Sequence, residues 1–420
     1  MIRLYQFIRR QVSEVKAGGG VVFLRKAQFS IEIILRFITL PLALIIVAIR
    51  PLILIRFGTL RSDRLGHFTG DVEAFLCARS IEIENYRTVD VIGCPEPVCN
   101  RQLQAMWARV MCITPGARLW AILDLTCHQI TRSDLHHIKL AGRAVQMGLF
   151  STTKRHISFT YEEDRRGQEL LKQLGIPAGV PWVCIHNRDS AYLAESQPTV
   201  NWGYHDYRDF SVQTMASAAE ELTQRGYYVL RMGSIVAESF MANHPKIIDY
   251  SNHSARSDFA DIYLLGNCAF YLGSDSGIVG VPAIFRKPFA FVNFPAAQTI
   301  YSVYYWNPMP FTLKRAWLKK EARWLSLREH FVNGLANADH TQAFEAAGIE
   351  LVNNTPEEIR DLAAEVDDRI AGVWQTTRED EELQQRFWEI VRQYVPTYGD
   401  GEFKARIGAA FLRKHVDLLN

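Results

Sequence analysis

Polar residues follow three apolar segments, 182–185, 227–230 and 270–272, that have the composition of β-strands. Ligands of open parallel sheets bind beyond the carboxyl ends of the strands, so these residues form one candidate site. Its members are His186, Arg188, Asp189, Arg231, Gly233, Ser234, Ser274, Asp275, Ser276 and Gly277. Two arginines and a Ser/Gly loop that leads into a helix are the groups that would bind a nucleotide diphosphate.

Each part of this site has a structural alternative. An arginine after a strand is often solvated or salt-bridged, and His186 could be a satisfied core histidine. The 274–277 segment could be only a helix cap and turn. Tyr204 and His205 lie in a long polar and aromatic loop, 201–209, that either lines an acceptor site or packs as a surface loop.

A candidate general base follows the first predicted strand of the chain. The loop there contains Asp63 and His67, and either side chain could accept a proton if it faced a cleft. The alternative is that Asp63 caps the next helix and pairs with Arg61 and Arg64. The choice between Asp63 and His67 stays open at this point.

The order of predicted elements favours an α/β fold. Strands separated by helices indicate parallel sheets with right-handed crossovers, and two such series indicate two facing Rossmann-like doubly wound domains. A Gly/Pro-rich run at 175–181 separates the two series. We therefore expect a basic and apolar helical segment at 1–51, a first Rossmann-like domain at 52–178, a second Rossmann-like domain at 179–375 and C-terminal helices at 376–420.

Local patterns predict the helices. The expected helices are 69–80, 102–111, 134–147, 162–174, 211–225, 257–265, 278–285, 380–394 and 401–416. Thr355-Pro356-Glu357-Glu358 predicts a further helix that opens with a capping box and proline in its first turn. The chain contains neither a GxGxxG motif nor a P-loop.

The first 50 residues carry a net charge of +6, and residues 37–49 have no charged side chain. A 13-residue helix is about 20 Å long, short of the roughly 30 Å of a bilayer core, and Pro41 would kink it. Basic residues around a short apolar helix favour an in-plane or re-entrant element at a membrane surface. A buried core helix and a true span are the alternatives.

Bulk composition excludes several classes of protein. The chain has 420 residues, of which 48% are apolar, and a net charge of +2, so a large core is expected and a strongly basic nucleic-acid binder is not. The seven cysteines contain no CxxC pair. Their spacing suits neither a zinc ribbon nor a disulfide scaffold, which favours reduced thiols in a cytosolic setting.

Several of these stretches resemble the GT-B glycosyltransferases over residues 52–375. They are Asp63-Arg64-Leu65-Gly66-His67, Cys184-Ile185-His186-Asn187-Arg188-Asp189, Tyr204-His205-Asp206-Tyr207-Arg208, Arg231-Met232-Gly233 and Leu272-Gly273-Ser274-Asp275-Ser276-Gly277. More narrowly, the chain is similar to a bacterial glycosyltransferase family associated with surface polysaccharides. Likeness to the heptosyltransferase group implies that an aspartate after the first strand is the base, and Asp63 is its nearest counterpart.

The resemblance implies an inverting, metal-independent glycosyltransferase without a cofactor. Its partners would be a nucleotide-sugar donor, a glycan or lipid-linked acceptor and the cytoplasmic surface of the inner membrane, with no nucleic acid. The absence of an Asp-x-Asp motif agrees with metal independence, because no paired carboxylates are offered to a Mg²⁺–diphosphate bridge. The alternatives are a nucleotide-sugar epimerase of the same architecture and a non-catalytic nucleotide-sugar-binding scaffold.

Overall fold

The computed structural model describes residues 2–81, 87–140, 148–196, 198, 201–295, 309–394 and 405–420. Its strands are β1 Leu54–Thr59, β2 Thr88–Gly93, β3 Ile113–Thr114, β4 Trp182–His186, β5 Tyr228–Arg231, β6 Ile247–Ile248, β7 Tyr271–Gly273, β8 Phe289–Phe294, β9 Pro310–Leu313, β10 Arg315–Leu318, β11 Arg323–Trp324, β12 Ile349–Val352 and β13 Arg406–Ile407. The α-helices are α1 Ile2–Ala48, α2 Leu65–Ile81, α3 Arg101–Ala108, α4 Ala117–Thr131, α5 Tyr161–Gln173, α6 Ala191–Ser196, α7 Ala216–Gln224, α8 Asp258–Asn267, α9 Gly280–Ile284, α10 Leu327–Val332, α11 Thr341–Ala346, α12 Pro356–Ile370, α13 Arg378–Tyr394 and α14 Ala409–Lys414.

The chain forms two compact units, and both are discontinuous in sequence. The first unit comprises Met1–Asp63, Glu82–Val98 and Met111–Ala141, and the second comprises Arg64–Ile81, Cys99–Val110 and Gly142–Asn420. The sequence analysis instead placed one boundary at 178/179. Helices α2, α3 and α5 therefore belong with the later residues, since they pack on α8 and α9.

The first unit contains a parallel sheet in the order β1-β2-β3. Helix α4 packs on this sheet, and α1 packs on α4. Phe57 of β1, Leu123 and Cys127 of α4, and Ala43 and Ile46 of α1 form its buried core. This unit is α/β with parallel strands, as expected, and has three strands in the residues that are described.

The second unit contains a seven-stranded parallel sheet in the order β13-β9-β8-β7-β4-β5-β6. Counted from β4, the first six strands follow the order 3-2-1-4-5-6 of dinucleotide-binding Rossmann folds. The strand order reverses between β4 and β7, where His186 is paired with Gly273. A ligand crevice is expected beyond this pair, at the carboxyl ends of the two strands.

Helices cover both faces of this sheet because alternate side chains of each strand point in opposite directions. Val183 and Ile185 of β4 pack in one core cluster with residues of α7 and α12. On the opposite face, the Trp182 indole and the Cys184 thiol both donate to the carbonyl of Leu264 in α8. The second unit is therefore doubly wound, and β4 is buried on both sides.

Most predicted elements form within a few residues of their expected bounds. Helix α12 begins with the expected capping box, in which Thr355 and Glu358 bond reciprocally and Pro356 occupies the first turn. The predicted helix at 134–147 is wrong over 134–140, where the chain extends and His137 bridges to Phe57; residues 141–147 lie outside the described residues. Residues 401–404 of the predicted helix at 401–416 lie outside the described residues; of the described part, 406–407 form β13 and 409–414 are α-helical.

The N-terminal segment is helical from Ile2 to Ala48, with a break at Gly19, whose φ is +61°. Its last turns have two faces: Thr39, Ala43 and Ile46 are buried, whereas Phe37 is 73% exposed. The exposed side also contains Ile38, Leu42, Leu44 and Ile45. Among the described residues, no helix combines the length and apolar character that crossing a membrane requires.

Candidate functional site

The strand order reverses between the ends of β4 and β7, at His186 and Gly273, and the backbones of the two strands are tightly packed at this switch point. The Ser274 amide donates to the carbonyl of His186 at 3.0 Å, which joins the ends of the two strands. A Cβ on Gly273 would lie 2.8 Å from the Tyr271 hydroxyl, so this position excludes any side chain. The Ser274 hydroxyl is buried and has no hydrogen-bond partner. An unpaired buried hydroxyl is costly, and at a switch point it is a candidate ligand contact.

His186 is held in a single orientation. Its Nδ1 lies 3.0 Å from the carbonyl of Met232, to which it donates when it carries the proton. Burial lowers the pKa of His186 to about 4, and Arg231 contributes in the same direction. The imidazole is therefore neutral near pH 7. His186 adds a polar group to the crevice edge and no positive charge.

Positive charge at the crevice comes from Arg188, Arg208 and Lys314. Arg188 donates to the carboxylate of Asp209 and to the carbonyl of His205, while its Nη2 is buried without a partner. Arg208 donates to the carbonyl of Asp275 and lies 3.5 Å from its carboxylate. The buried Lys314 donates to the Asp209 carbonyl at 2.8 Å.

The electrostatics of this cluster favour an anionic ligand. Burial raises the pKa of Asp209 to about 6, so this carboxylate remains mostly ionised at pH 7. Burial lowers the pKa of Lys314 to about 8, and Arg188 and Arg208 contribute in the same direction. Three cationic side chains thus meet two carboxylates. A bound phosphate would offset the repulsion between the cations.

The loop 201–209 packs as a stack of rings. The ring centres of Tyr204 and His205 lie 4.0 Å apart, and the Trp202 ring stacks on both rings. The guanidinium of Arg64 lies 4.8 Å from the centre of the Trp202 ring. Burial lowers the pKa of His205 to about 4, and its Nδ1 is buried without a partner. The loop is ordered by these contacts, and His205 adds a further unpaired polar atom.

Arg231 occupies a different environment from the one expected for a phosphate ligand. It is fully buried, and it donates to Asp249 at 3.3 Å, to Ser251 at 2.5 Å and to Asn187 at 3.3 Å. These contacts brace the ends of β4 and β5 against each other. The Nε of Arg231 is buried without a partner, as is Arg188 Nη2, and the role of Arg231 toward a phosphate stays a prediction.

The remaining predicted residues have structural surroundings. Asp189 accepts from the backbone amides of Ala191 and Ala237, both at 3.0 Å, and so anchors two loops. Gly233 has φ +155°, and a Cβ there would lie 2.7 Å from the Val236 side chain. Ser234 is exposed.

His67 lies in the first turn of α2 with an acidic partner. Its Nδ1 is 2.9 Å from Asp71 Oδ2, one helical turn further on, and about a third of its side chain is exposed. A carboxylate on Nδ1 fixes the tautomer that leaves Nε2 free to accept a proton. Asp63 is half-buried in the turn before α2 and belongs to the first compact unit. Only His67 shares a unit with the switch point.

Helix α2 and the 273–277 loop approach each other as bare backbone. A Cβ on Gly277 would lie 2.9 Å from the Gly66 nitrogen, and a Cβ on Gly66 would lie 2.9 Å from the Gly277 Cα. The residue after Gly66 is His67, and the loop before Gly277 carries Ser274. Two glycines therefore hold the candidate base next to the candidate anion site.

Four members of the site were not among the predicted site residues: Asp71, Arg208, Asp209 and Lys314. Asp71 could have been found from its position four residues after His67 on a predicted helix. Arg208 and Asp209 lie in the loop 201–209, which sequence reasoning singled out only as a whole. Lys314 lies between β9 and β10, next to Arg315, and neither its burial nor its contact with Asp209 can be read from the sequence.

Comparisons with known proteins give limited similarity. No family model matches the chain, and no curated protein does. A family 9 glycosyl transferase from Veillonella parvula is 10% identical, with 58% of this chain and 82% of that chain covered and a TM-score of 0.37. ADP-heptose lps heptosyltransferase II of E. coli is 13% identical, with coverage of 58% and 86% and a TM-score of 0.36. E. coli heptosyltransferase WaaC with ADP-2-deoxy-2-fluoro heptose is 13% identical, with coverage of 58% and 90% and a TM-score of 0.29. These TM-scores are low, so the case for a function rests on the geometry of the site.

Proposed function

We propose that the protein is a glycosyltransferase that binds the diphosphate of a nucleotide sugar at the β4–β7 switch point. One observation carries this proposal: Arg188, His205 and Ser274 each have a buried polar atom without a partner, and Arg188 and Ser274 lie in the loops after β4 and β7, where a Rossmann sheet binds its ligand. Arg208 and Lys314 add charge there. A substrate with phosphate oxygens would supply the hydrogen-bond partners that these polar groups lack within the chain.

The chemistry assigned to this site is an inverting transfer. Arg188, Arg208 and Lys314 stabilise the negative charge that develops on the leaving nucleoside diphosphate, which is usually a large catalytic contribution. His67, oriented by Asp71, takes the proton of the acceptor hydroxyl as that oxygen attacks the anomeric carbon. Attack opposite the leaving group inverts the configuration. Arginine and lysine provide the charge for which other transferases use a bound metal.

The test is ligand-induced stabilisation of the full chain by UDP, GDP, ADP, CMP and dTDP. A nucleotide at 100 times its dissociation constant should add about 2.7 kcal/mol to the unfolding free energy. Arg208→Gln should weaken this effect, whereas Arg165→Gln, on an exposed ion pair of α5, is the control. Absence of any shift with all five nucleotides would contradict the proposal.

Turnover separates the proposal from its two alternatives. With the nucleotide identified, a matching nucleotide sugar should release nucleoside diphosphate only when an acceptor is added. His67→Ala should lower kcat by about 10² to 10⁴. Isomerised sugar without an acceptor would identify an epimerase instead. Binding without turnover, unaffected by His67→Ala and Asp63→Asn, would identify a scaffold.

We also propose that the exposed face of α1 binds the cytoplasmic surface of the inner membrane, near a lipid-linked or polysaccharide acceptor. Phe37, Ile38 and Ile45 are each more than half exposed, which is unusual for side chains of this size in a row. Arg36 and Arg50 flank this apolar face and match anionic headgroups.

A further inference from the structure

Three potential metal ligands converge on α2, two turns beyond the candidate base. Glu73 and Cys77 face the same side of the helix, four residues apart, and His156 reaches them from the segment before α5. We propose that Glu73, Cys77 and His156 bind a zinc ion that fastens α2 to this segment. The site is structural and takes no part in the proposed transfer.

The distances between the ligand atoms suit tetrahedral zinc. Cys77 Sγ lies 3.7 Å from Glu73 Oε1, and His156 Nδ1 lies 3.2 Å from the same oxygen. Zinc bonds of about 2.0 Å to nitrogen and oxygen and about 2.3 Å to sulfur place tetrahedral ligands about 3.3 to 3.5 Å apart. A zinc ion would therefore need only small adjustments of the three side chains.

The burial of the cluster points to a missing partner. Glu73 and Cys77 are fully buried, and Glu73 Oε2 has no hydrogen-bond partner. A buried carboxylate oxygen without a partner carries a large desolvation cost. The His156 side chain is about one quarter exposed, so the cluster opens to solvent on that side. This opening offers a path for the ion and for a water that would be its fourth ligand.

Two neighbouring groups contact the ligand atoms directly. Arg286 Nη2 lies 2.6 Å from Glu73 Oε1 and 3.5 Å from Cys77 Sγ, and the Thr153 hydroxyl lies 2.9 Å from Cys77 Sγ. Outer hydrogen bonds of this kind orient metal ligands and tune their basicity. Arg286 would keep its ion pair with the Glu73 carboxylate, and the lone pairs of Glu73 that do not face Arg286 would coordinate the metal.

Charge and protons balance on binding. Zinc binds the thiolate, the carboxylate and the neutral imidazole, so the three-ligand complex is neutral, and any proton held by the sulfur or the imidazole is released to water on binding. No oxidant or reductant is required.

Cobalt substitution of the full-length protein tests the site without any enzyme assay. Metal-free protein is titrated with Co²⁺, and thiolate-to-cobalt charge-transfer absorption is recorded, followed by displacement with Zn²⁺. We expect this band to saturate at one equivalent. Cys77→Ser should abolish it, and His156→Gln should weaken metal affinity by at least about tenfold. Cys127→Ser, at a buried cysteine of the first unit, is the matched control and should keep the band.

Two results would overturn the proposal. The first is a wild-type titration without a thiolate band, which needs no variant and so does not depend on whether Cys77→Ser folds. The second is a band that persists unchanged in Cys77→Ser. Nucleotide-induced stabilisation is measured separately, so loss of the zinc site would leave the proposed function standing.

Discussion

At the scale of single residues, the site differs from an ordinary core by its unpaired polar atoms. Folded proteins pair nearly all buried polar groups, so Ser274, His205 and Arg188 carry a cost that a ligand would remove. Removal of the Ser274 hydroxyl is therefore expected to affect stability differently with and without nucleotide. A serine with a purely structural role would affect both states equally.

Ser274→Ala should leave the empty protein as stable as wild type, or more stable by up to about 1 kcal/mol, because it removes an unsatisfied hydroxyl. The same change should reduce stabilisation by the nucleotide. Ser257→Ala is the matched control, because Ser257 caps α8 by accepting from the Ala260 amide. It should cost about 1 kcal/mol in both states and leave the nucleotide effect intact. Denaturant unfolding with and without nucleotide measures both.

Acid should destabilise the protein through its buried histidines. Burial lowers the pKa of His330 to about 4, below an unfolded value of about 6.5. The unfolded chain therefore binds more protons between pH 6.5 and 4, and the stability present above pH 6.5 is lost as pH falls through this range. His330→Gln should reduce the loss between pH 7 and pH 5 by roughly 2 kcal/mol.

Urea unfolding at the two pH values measures this difference. Asn333→Gln, at the end of the same helix, changes a side chain without removing a titrating group and should keep the wild-type loss. Burial raises the pKa of Asp209, which acts in the opposite sense but equally in all three proteins. Equal pH dependence of His330→Gln and wild type would contradict the assignment.

At the scale of elements, the glycines between α2 and the switch loop set the position of His67. Gly277→Ala should destabilise the protein by about 1 to 3 kcal/mol, because its Cβ would lie 2.9 Å from backbone that cannot rotate away. It should also weaken nucleotide binding, since relief of the clash moves the loop. Gly148→Ala has open space around its Cβ and should change stability by less than about 0.5 kcal/mol. Thermal unfolding with and without nucleotide compares the two.

The exposed face of α1 can be tested without removing the helix. Deletion of residues 1–50 would uncover Leu123 and Cys127, because Ala43 and Ile46 pack on them. Phe37→Glu with Ile45→Glu changes only exposed side chains. Each apolar side chain contributes about 1.5 to 3 kcal/mol on burial, so the double variant should lower vesicle binding at least about 100-fold.

Sedimentation with vesicles that contain anionic lipid measures this binding. Val373→Glu, a similarly exposed apolar position of the second unit, is the control. Binding of Phe37→Glu/Ile45→Glu at the wild-type level would remove α1 as the membrane contact.

At the scale of the whole molecule, each compact unit combines segments that are separate in the sequence. Helices α2, α3 and α5 precede the predicted boundary at 178/179 yet pack within the second unit. Asn100, which caps α3, donates to the Asp258 carbonyl at 3.0 Å, and Phe159 stacks on Phe285. These contacts would be lost if the chain were divided at that boundary.

Fragment 179–420 alone should therefore unfold at lower temperature than the full chain, or not fold at all. Addition of fragment 1–178 should restore part of the lost stability, because it returns α2, α3 and α5. Circular dichroism on heating measures both. A fragment 179–420 as stable as the intact protein would support the single boundary instead.

Local sequence patterns predicted individual helices and strands well, but they predicted contacts between residues distant in sequence poorly. The apolar run at 182–186 became β4 within its expected bounds, and Thr355 with Glu358 formed the expected capping box. Helix α4 was missed because it begins after Gly116 without a side-chain cap. The burial of Arg231 beside Asp249 could not be predicted, because it depends on β6 and the turn after it, which no local pattern reveals.

The contact between Gly66 and Gly277 has a kinetic consequence. No side chain lies between these two backbones that could change its rotamer when one of them moves. A movement of the 273–277 loop would therefore also move the first turn of α2. Arrival of the donor and placement of the His67 imidazole then become a single event. Under the proposed function, steady-state kinetics would follow a compulsory order, with the nucleotide sugar binding before the acceptor.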